Sequence, residues 1–343
     1  MLHLAQQATS ALRHATGVVI PVYFPDGIDV STGAALLRDT VWAYSQQTAN
    51  PTAICLSVDG TSCGEQIAQD LAAEFGVSLC ISAENRGKLH GVTAGMRHLL
   101  RQRELAYFAV VDQDGDHFAN ELLNFLRATQ HIETGVATSR VMLTGRRVSR
   151  HRSLGLLRDE LEELCDRILL DALQYRAVVA QRPLRLEYVS SLEEFPDFHS
   201  GFHLFSRPVA EAIFLSEPQM MGLSEASYYR HACDAVMVVE ALECGAYFGV
   251  VNRTAFNAQP ISTFGRLNRV ELAADMIVWP CQRLGIPLPF VEQWLANHLP
   301  RLRLNTLAPQ GKDELDAIRR RVIRALADDP NRQIEPTFEP LFL

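Results

Sequence analysis

The stretch Tyr107-Phe108-Ala109-Val110-Val111-Asp112-Gln113-Asp114-Gly115-Asp116 decides the fold. Its first five residues are all apolar or aromatic, which is typical of a short strand that is buried on both faces. Its last five place three carboxylates directly after that strand. Since ligands bind at the carboxyl ends of parallel strands, this pattern predicts a buried parallel sheet with a functional site at one edge.

Three similar units precede this stretch. Short apolar runs predict strands at 17–24, 53–58 and 77–82, and the turn signals Pro25-Asp26-Gly27 and Asp59-Gly60 end the first two. Apolar residues at helical spacing predict intervening helices at 30–47, 65–75 and 89–103. This alternation predicts an α/β fold of the Rossmann-like kind, with a mostly parallel sheet covered by helices on both faces.

The character of the chain changes after a predicted helix at 118–130. A basic stretch at 140–152 comes next. After it, the sequence pattern predicts a long amphipathic helix at 156–179, a helix at 226–244, a strand at 246–251 and a final helix at 313–327. We expect one α/β domain over 1–255, divided near 130, and a mostly helical extension over 256–343. The extension is either a surface for self-association or a cover for the sheet.

Composition excludes several classes of protein. The 343 residues are 48% hydrophobic and 21% charged, so the chain has enough apolar surface for a core and is not intrinsically disordered. The net charge of −8 disfavours nonspecific nucleic-acid binding. Apolar runs fall short of the ~18 residues that a membrane span needs. The start of the chain lacks a signal-peptide pattern, which predicts a cytoplasmic location.

The seven cysteines are scattered singly, and none forms a CxxC pair. Both a disulfide framework and a structural zinc site require clustered, paired cysteines. We therefore expect free thiols in a reducing compartment.

The three carboxylates after the 107–111 strand require compensation, since like charges at this spacing repel one another. A divalent cation would supply it, and Mg²⁺ or Mn²⁺ is usually held by one or two carboxylates together with water and substrate phosphates. The alternative is a solvated acidic turn that caps the next helix.

Two other protein families contain a similar motif of closely spaced aspartates. A calcium-binding EF-hand needs Gly at its sixth position and Glu at its twelfth, and His117 and Leu123 stand there instead. Phosphatases of the haloacid-dehalogenase type carry a strand followed by DxDG, with the first Asp as nucleophile. Asp112 would be that nucleophile here. However, three βα units precede the motif, and Asp116 follows Gly115 where that family has Thr.

Four segments in order carry a broader resemblance. They are Val19-Ile20-Pro21-Val22-Tyr23, then Asp59, then Asn85-Arg86-Gly87-Lys88 before a helix, and finally Asp112-Gln113-Asp114. Together they resemble the GT-A glycosyltransferases, closest to family 2 and to the mannosylglycerate and glucosyl-phosphoglycerate synthases. The resemblance extends over about 17–250 and implies a GT-A fold.

The resemblance implies a role for each segment. In the donor half, Pro21 and Tyr23 would hold the nucleobase, and Asp59 would meet the base or ribose. Asn85, Gly87 and Lys88 would meet the diphosphate, with partial positive charge from the amides of Gly87 and Lys88 at the helix start. Asp112 and Asp114 would hold Mg²⁺ or Mn²⁺ against the donor diphosphate.

The acceptor half departs from the family pattern at two places. The resemblance implies that His199, Ser200, Gly201 and Arg207 line the acceptor side, and that Asp234 is the general base or an essential carboxylate there. Gln259 stands where relatives have a third metal ligand, His, and would be a weak ligand. Cys233 replaces a Glu found in many inverting members, so the stereochemistry of transfer stays open.

The sequence therefore predicts a metal-dependent glycosyltransferase that moves a sugar from a UDP- or GDP-type donor to a hydroxyl acceptor. The alternatives are a phosphohydrolase that uses Asp112, and an inactive paralogue that binds nucleotide-sugars. Arginines within 146–152 would either meet an acidic acceptor or form a solvated surface. The partners expected are the donor, a small-molecule or glycan acceptor, and a second copy of the chain at the C-terminal helices.

Overall fold

The computed structural model describes residues 2–60, 63–148, 155–189, 195–255, 267–329 and 332–334. Its strands are β1 (Thr16–Val22), β2 (Ile54–Asp59), β3 (Ser78–Ser82), β4 (Tyr107–Val110), β5 (Val141–Arg147), β6 (His203–Ser206) and β7 (Tyr247–Arg253). Its helices are α1 (Leu2–His14), α2 (Val30–Ser45), α3 (Cys63–Phe75), α4 (Lys88–Leu99), α5 (Leu122–Gly135), α6 (Leu156–Ala180), α7 (Arg207–Phe214), α8 (Glu225–Arg230), α9 (Cys233–Glu243), α10 (Arg269–Leu284), α11 (Leu288–His298), α12 (Leu304–Leu307) and α13 (Gly311–Leu326).

The strands form one seven-stranded sheet in the order β3-β2-β1-β4-β6-β5-β7. Strand β6 pairs antiparallel with both β4 and β5, whereas β1/β2, β2/β3, β1/β4 and β5/β7 are parallel pairs. The chain first moves outward from β1 to β3 and then returns to place β4 on the other side of β1. This reversal makes the β1/β4 junction the point at which a ligand crevice is expected.

Alternate residues of each strand enter two separate hydrophobic clusters, because successive side chains of a strand point to opposite faces. On one face, Val19 and Val110 pack with the helices α4, α6, α9 and α10. On the other face, Val18 and Ala109 pack with α1, α2, α3 and α5. The predicted α/β architecture, with a mostly parallel sheet between two layers of helices, is confirmed.

Several elements differ from the prediction. The basic stretch at 140–152 contains β5, and the segment around 199–207 contains the antiparallel strand β6. The helix expected at 226–244 is two helices, α8 and α9. The chain turns between them at His231, whose Nδ1 lies 2.7 Å from Oδ2 of Asp275 on α10. A contact with a residue so distant in sequence is not visible in local helical spacing.

The helices α10 to α13 pack against the face of the sheet that α4 and α6 also cover. Trp279 of α10 and Ile318 of α13 are fully buried and belong to the same hydrophobic cluster as the strand residues. None of the helices in the described ranges combines the length and the apolar character that a membrane crossing requires. The division of the chain near residue 255 stays a prediction.

Candidate active site

A cavity of about 570 Å³ opens where β1, β2 and β4 end. Because β2 and β4 flank β1 and the chain diverges there, the loops after these strands leave a crevice between them. Twelve of the fourteen predicted site residues line this cavity: Pro21, Tyr23, Asp59, Asn85, Gly87, Lys88, Asp112, Asp114, His199, Ser200, Gly201 and Asp234.

Gln113 joins the loop after β4 to the loop after β1. Its Nε2 donates to the carbonyl oxygen of Tyr23 at 2.6 Å, and its Oε1 accepts from the amide of Tyr23 at 3.1 Å. The side-chain amide thus pairs with a backbone amide and carbonyl as a neighbouring strand would. Gln113 was not among the predicted site residues, although it stands between the two predicted metal ligands.

Lys88 and Asp112 form an ion pair across the cavity. The Nζ atom of Lys88, the first residue of α4, lies 2.5 Å from Oδ1 of Asp112. Burial alone would lower the pKa of Lys88, but the charges of Asp112 and Asp234 outweigh it and raise the pKa above its usual range. Lys88 is therefore a permanent cation, and it balances the first carboxylate of the acidic motif.

The Lys88–Asp112 ion pair packs closely against His117 and Gly201. The amide of Asp112 donates to Nδ1 of His117 at 2.9 Å, and the His117 ring stacks on Phe202 with a centroid distance of 4.7 Å. A Cβ atom at Gly201, whose φ is +76°, would lie 3.0 Å from Oδ2 of Asp112 and 3.2 Å from Nζ of Lys88. Gly201 thus leaves room directly beside the ion pair, which explains why a small residue stands there.

Asp59 holds the loop that leads into α4. Its carboxylate accepts from the amides of Arg86 at 3.2 Å and Gly87 at 2.6 Å, and from Nδ1 of His90 at 3.2 Å. The side chain is almost fully buried while its edge still borders the cavity. Since the amide of Gly87 is already paired with Asp59, it does not supply the positive end that the sequence predicted for it. The predicted contact of Asp59 with a base or ribose stays a prediction.

Gly87 has a backbone conformation that only glycine adopts readily, with φ 125° and ψ 165°. A Cβ atom there would lie 2.5 Å from Cγ of Arg230 and 2.7 Å from the carbonyl of Tyr229. The absence of a side chain therefore allows α8 to approach the start of α4. This contact brings Arg230 to the cavity wall.

Arg230 is a cation at the cavity that the sequence analysis missed. Its Nη2 donates to the carbonyl oxygen of Asn85 at 3.0 Å and to Oδ1 of Asn85 at 3.2 Å, and both partners are neutral. The guanidinium is exposed and lines the cavity near Lys88. The 145 residues that separate Arg230 from Asn85 explain why no local pattern pointed to it.

The third carboxylate of the acidic motif, Asp116, is neutralised within the protein. Its Oδ2 lies 3.0 Å from Nη1 of Arg253, and both side chains are almost completely buried. Arg253 also donates to the backbone carbonyl oxygens of Gly145 at 3.3 Å and Ser200 at 3.2 Å. The expectation that all three aspartates need a bound cation is therefore wrong for Asp116, because β7 supplies an arginine.

Asp114 is the carboxylate of the motif that no cationic side chain in the described ranges pairs with. Its Oδ1 accepts from the amide of Asp116 at 3.2 Å. Burial, followed by the charge of Asp112, raises the pKa of Asp114 to about 6. A carboxylate that is held close to like charges, at the wall of an open cavity, is suited to an external cation.

The donor set fits a divalent cation that takes most of its ligands from elsewhere. The described ranges contain no group of three or more His, Cys, Asp or Glu side chains that would form a preformed metal site. Asp112 and Asp114 offer carboxylate oxygens at the cavity, and Mg²⁺ or Mn²⁺ commonly uses one or two such ligands with water and phosphate oxygens. Gln259, the predicted third ligand, lies outside the described residues.

Asp234, at the start of α9, is held by His203. Nε2 of His203 on β6 donates to Oδ1 of Asp234 at 2.9 Å, and the His203 side chain is completely buried. Burial would raise the pKa of Asp234, but the hydrogen bond from His203 and the charge of Lys88 outweigh it and hold the pKa well below its usual range. Asp234 is thus a stable anion, and such a carboxylate is a weak base.

Arg207 lies at the opposite edge of the sheet. It follows β6, and because β6 runs antiparallel to β4, its end lies beside the start of β4. The guanidinium of Arg207 donates to the carbonyl oxygens of Leu105 at 2.7 Å and Leu100 at 3.1 Å. The predicted acceptor contact of Arg207 is wrong, because the reversed direction of β6 places this residue at the edge of the sheet away from the cavity.

Arg147 belongs to the basic stretch, and its charge is used inside the protein. It pairs with Asp197 at 2.6 Å and Glu162 at 2.9 Å and is almost fully buried. The arginines at 150 and 152 lie outside the described residues. The lining of the cavity also includes the apolar residues Leu267, Leu272 and Met276, which lie beyond the expected domain boundary at 255.

Comparisons with known proteins do not assign a function to this chain. No family model matches the chain. No curated protein matches it in sequence either. Among solved structures, the crystal structure of Staphylococcus aureus TarS 1–349 is similar to 91% of this chain and 89% of that chain, with a TM-score of 0.42 and 12% identity. A likeness at this level carries no argument about activity.

Proposed function

We propose that the protein is a metal-dependent glycosyltransferase that moves a sugar from a nucleoside-diphosphate donor to a hydroxyl acceptor. One observation carries the proposal. The cations Lys88 and Arg230, together with the N-terminal end of α4, share one cavity with the carboxylates Asp112 and Asp114. A diphosphate bound together with a divalent cation requires this combination of fixed positive charge and carboxylate ligands.

The size and position of the cavity support the same class of ligand. Pockets for small molecules usually have volumes of about 300–1,000 Å³, and this one has about 570 Å³. Pro21 and Tyr23 at the end of β1 form the side on which a nucleobase would lie. His199, Ser200 and Asp234 also line the cavity, and the sugar would lie between the phosphates and Asp234.

Transfer breaks the bond between the anomeric carbon and the phosphate oxygen, and the nucleoside diphosphate leaves with the electron pair. The acceptor oxygen forms the new bond to that carbon and gives up its proton. A cation bound by Asp112 and Asp114 would offset the negative charge that develops on the diphosphate. Lys88 and Arg230 would hydrogen-bond the phosphate oxygens, and Asp234 would stay ionised beside the reacting carbon.

Binding of the free nucleotide tests the donor site directly. We expect UDP or GDP to bind more tightly, and to raise the melting temperature further, when Mn²⁺ is present. The variant Asp112→Asn should lose the Mn²⁺-dependent part of the binding. Asp39→Asn, an exposed aspartate on α2, is the matched control and should keep it.

Turnover completes the test. Incubation with a panel of UDP- and GDP-sugars should release the nucleoside diphosphate, slowly to water and faster with an acceptor. Nucleotide binding that does not depend on Mn²⁺ would contradict the metal-assisted donor site. A phospho-aspartate trapped at Asp112 would favour the phosphohydrolase instead. The expected cytoplasmic location and self-association through the C-terminal helices stay predictions.

A further inference from the structure

A histidine–carboxylate pair that the reaction outlined above does not use also lies at the cavity. Nδ1 of His199 lies 2.7 Å from Oδ1 of Asp166 on α6, and the same oxygen accepts from the amide of His199 at 3.2 Å. The Asp166 side chain is fully buried, and the His199 side chain is only 3% exposed. Since an ionised carboxylate only accepts hydrogen bonds, Nδ1 of His199 carries a proton.

The other ring nitrogen of His199, Nε2, is buried and makes no hydrogen bond with any atom of the described residues, although His199 lines the cavity. Leaving a buried polar atom unpaired costs about 1–3 kcal/mol, so such atoms in folded proteins call for an explanation. In the neutral ring, the proton on Nδ1 leaves a lone pair on Nε2. Asp166 thereby sets the tautomer in which Nε2 accepts a proton.

The groups around His199 are mostly acidic. Asp166 and Glu162 lie on α6, Asp234 lies on α9, and Arg147 of β5 donates to the carbonyl oxygen of His199 at 3.4 Å. Burial would lower the pKa of His199, but the charge and hydrogen bond of Asp166, followed by the charge of Asp234, raise it. The pKa of Asp234 is shifted in the opposite direction. A raised pKa makes an imidazole a stronger base and a lowered pKa makes a carboxylate a weaker one, so His199 is the stronger base of the two.

We propose that His199, oriented by Asp166, takes the proton from the acceptor hydroxyl during transfer. The proton moves from the acceptor oxygen to Nε2 as that oxygen bonds to the anomeric carbon and the diphosphate departs. Asp234 stays ionised, held by His203, and acts through its charge. This assignment rests on the proposed glycosyl transfer and names the proton acceptor of that same site.

The first experiment separates proton transfer from donor binding. In His199→Ala, release of nucleoside diphosphate from the sugar-nucleotide should fall by about 10²–10⁴-fold, the usual contribution of a general base. The Kd for UDP or GDP with Mn²⁺ should stay within about twofold, since His199 does not touch the diphosphate in this scheme. Added imidazole should restore part of the activity. His298→Ala, which removes a histidine stacked on Trp294, is the control and should remain active.

The second experiment follows kcat against pH. His199 must be neutral to accept a proton, so kcat should fall as the pH drops through its pKa, at a midpoint above the usual ~6.5 of histidine. Asp166→Asn should move this midpoint to lower pH and reduce kcat, because the amide removes the charge and disturbs the tautomer. Asp234→Asn should reduce kcat but leave the acid limb in place. Thermal unfolding of each variant shows whether it is folded.

The outcomes distinguish the two proposals. If the unchanged protein releases no nucleoside diphosphate from any sugar-nucleotide, the proposed function fails and the role of His199 fails with it. If turnover is present and folded His199→Ala keeps it within about threefold, only the role of His199 is overturned. Loss of the acid limb in Asp234→Asn would also overturn that role, since it would make Asp234 the titrating base.

Discussion

The Nζ atom of Lys88 lies 2.5 Å from Oδ1 of Asp112, so the first residue of α4 neutralises the first carboxylate of the acidic motif. In the absence of ligand, a metal ion must compete with this ammonium for Asp112. When a diphosphate is bound, the ammonium can hydrogen-bond the phosphate oxygens instead. Lys88 should therefore oppose binding of the metal alone and favour binding of the nucleotide.

Lys88→Met separates these two effects. Without the ammonium, Mn²⁺ should bind the free protein more tightly, whereas UDP or GDP should bind about 10–100-fold more weakly, because a charge-assisted hydrogen bond contributes about 1.5–3 kcal/mol. Calorimetric titration measures both affinities. Lys312, the only other lysine in the chain, is exposed on α13, and Lys312→Met should change neither. Weaker binding of both ligands by Lys88→Met would contradict the competition.

Asp116 is expected to contribute to folding. In Asp116→Asn, Arg253 loses its carboxylate partner inside the protein, and breaking a buried ion pair costs about 3–5 kcal/mol. The free energy of unfolding from urea titration should fall by that amount. A decrease below about 1 kcal/mol would show that the backbone carbonyls around Arg253 are sufficient to compensate its charge.

Asp114, unlike Asp116, is expected to lower the stability of the folded protein when it is ionised. Burial and the charge of Asp112 raise the pKa of Asp114 to about 6, from the usual ~3.9 of an aspartate, so the folded state binds its proton more tightly than the unfolded state does. Ionisation of Asp114 therefore lowers stability as the pH rises from about 4 to about 6. In EDTA at pH 7, Asp114→Asn should melt at a higher temperature than the unchanged protein, and this difference should shrink towards pH 4. The same variant should lose Mn²⁺-dependent nucleotide binding.

The sequence predicted the first half of the fold well. The strand expected at 53–58 is observed as Ile54–Asp59, and the helix expected at 156–179 is Leu156–Ala180. These elements are long apolar or amphipathic segments with clear ends. Strand β6 has only four residues, and β5 ends in two arginines, which concealed its strand character. Both depend on pairing with strands that are distant in sequence.

The site could be predicted where its residues lie at or just beyond the end of a strand, as Asp59 and Asp112 do. It could not be predicted where a residue reaches the cavity through tertiary contacts. Arg230 arrives because Gly87 lets α8 approach, and Asp166 lies in the middle of a helix, 33 residues before its partner His199. Spacing along the chain carries no record of such contacts. Lys88 is one of only two lysines in the chain. That rarity is a further sequence signal that points to a specific role for Lys88.

Gly87→Ala should damage the donor site. The new methyl group would overlap the backbone of Tyr229, and the backbone at φ 125° excludes other residues, so α4 and α8 would have to separate. We expect loss of nucleotide affinity by at least about tenfold, since both Lys88 and Arg230 would move. Gly245→Ala is the control: φ is also positive, at +83°, but no atom lies within 4 Å of the added carbon.

Gly245→Ala should cost about 1–2 kcal/mol of stability from backbone strain alone. It should keep the nucleotide affinity of the unchanged protein. Equal loss of nucleotide affinity in both variants would mean that backbone strain, and not the contact between Gly87 and α8, limits binding.

His203 is expected to act through Asp234 alone. His203→Phe removes the hydrogen bond to Oδ1 of Asp234 while keeping a ring in the buried position. Without this donor, burial should raise the pKa of Asp234 and weaken its negative charge beside the reacting carbon. Nucleoside diphosphate release should fall by about tenfold, whereas the Kd for UDP or GDP with Mn²⁺ should hardly change.

A double-mutant cycle checks this coupling, because residues that act through one another are not additive. If His203 works only by holding Asp234, the double variant His203→Phe/Asp234→Asn should turn over at the rate of Asp234→Asn alone. Circular dichroism and thermal unfolding confirm that each variant is folded. If the two substitutions reduce turnover by factors that multiply in the double variant, His203 contributes independently of Asp234. Its Nδ1, which has no hydrogen-bond partner among the described residues, would then be the atom to study.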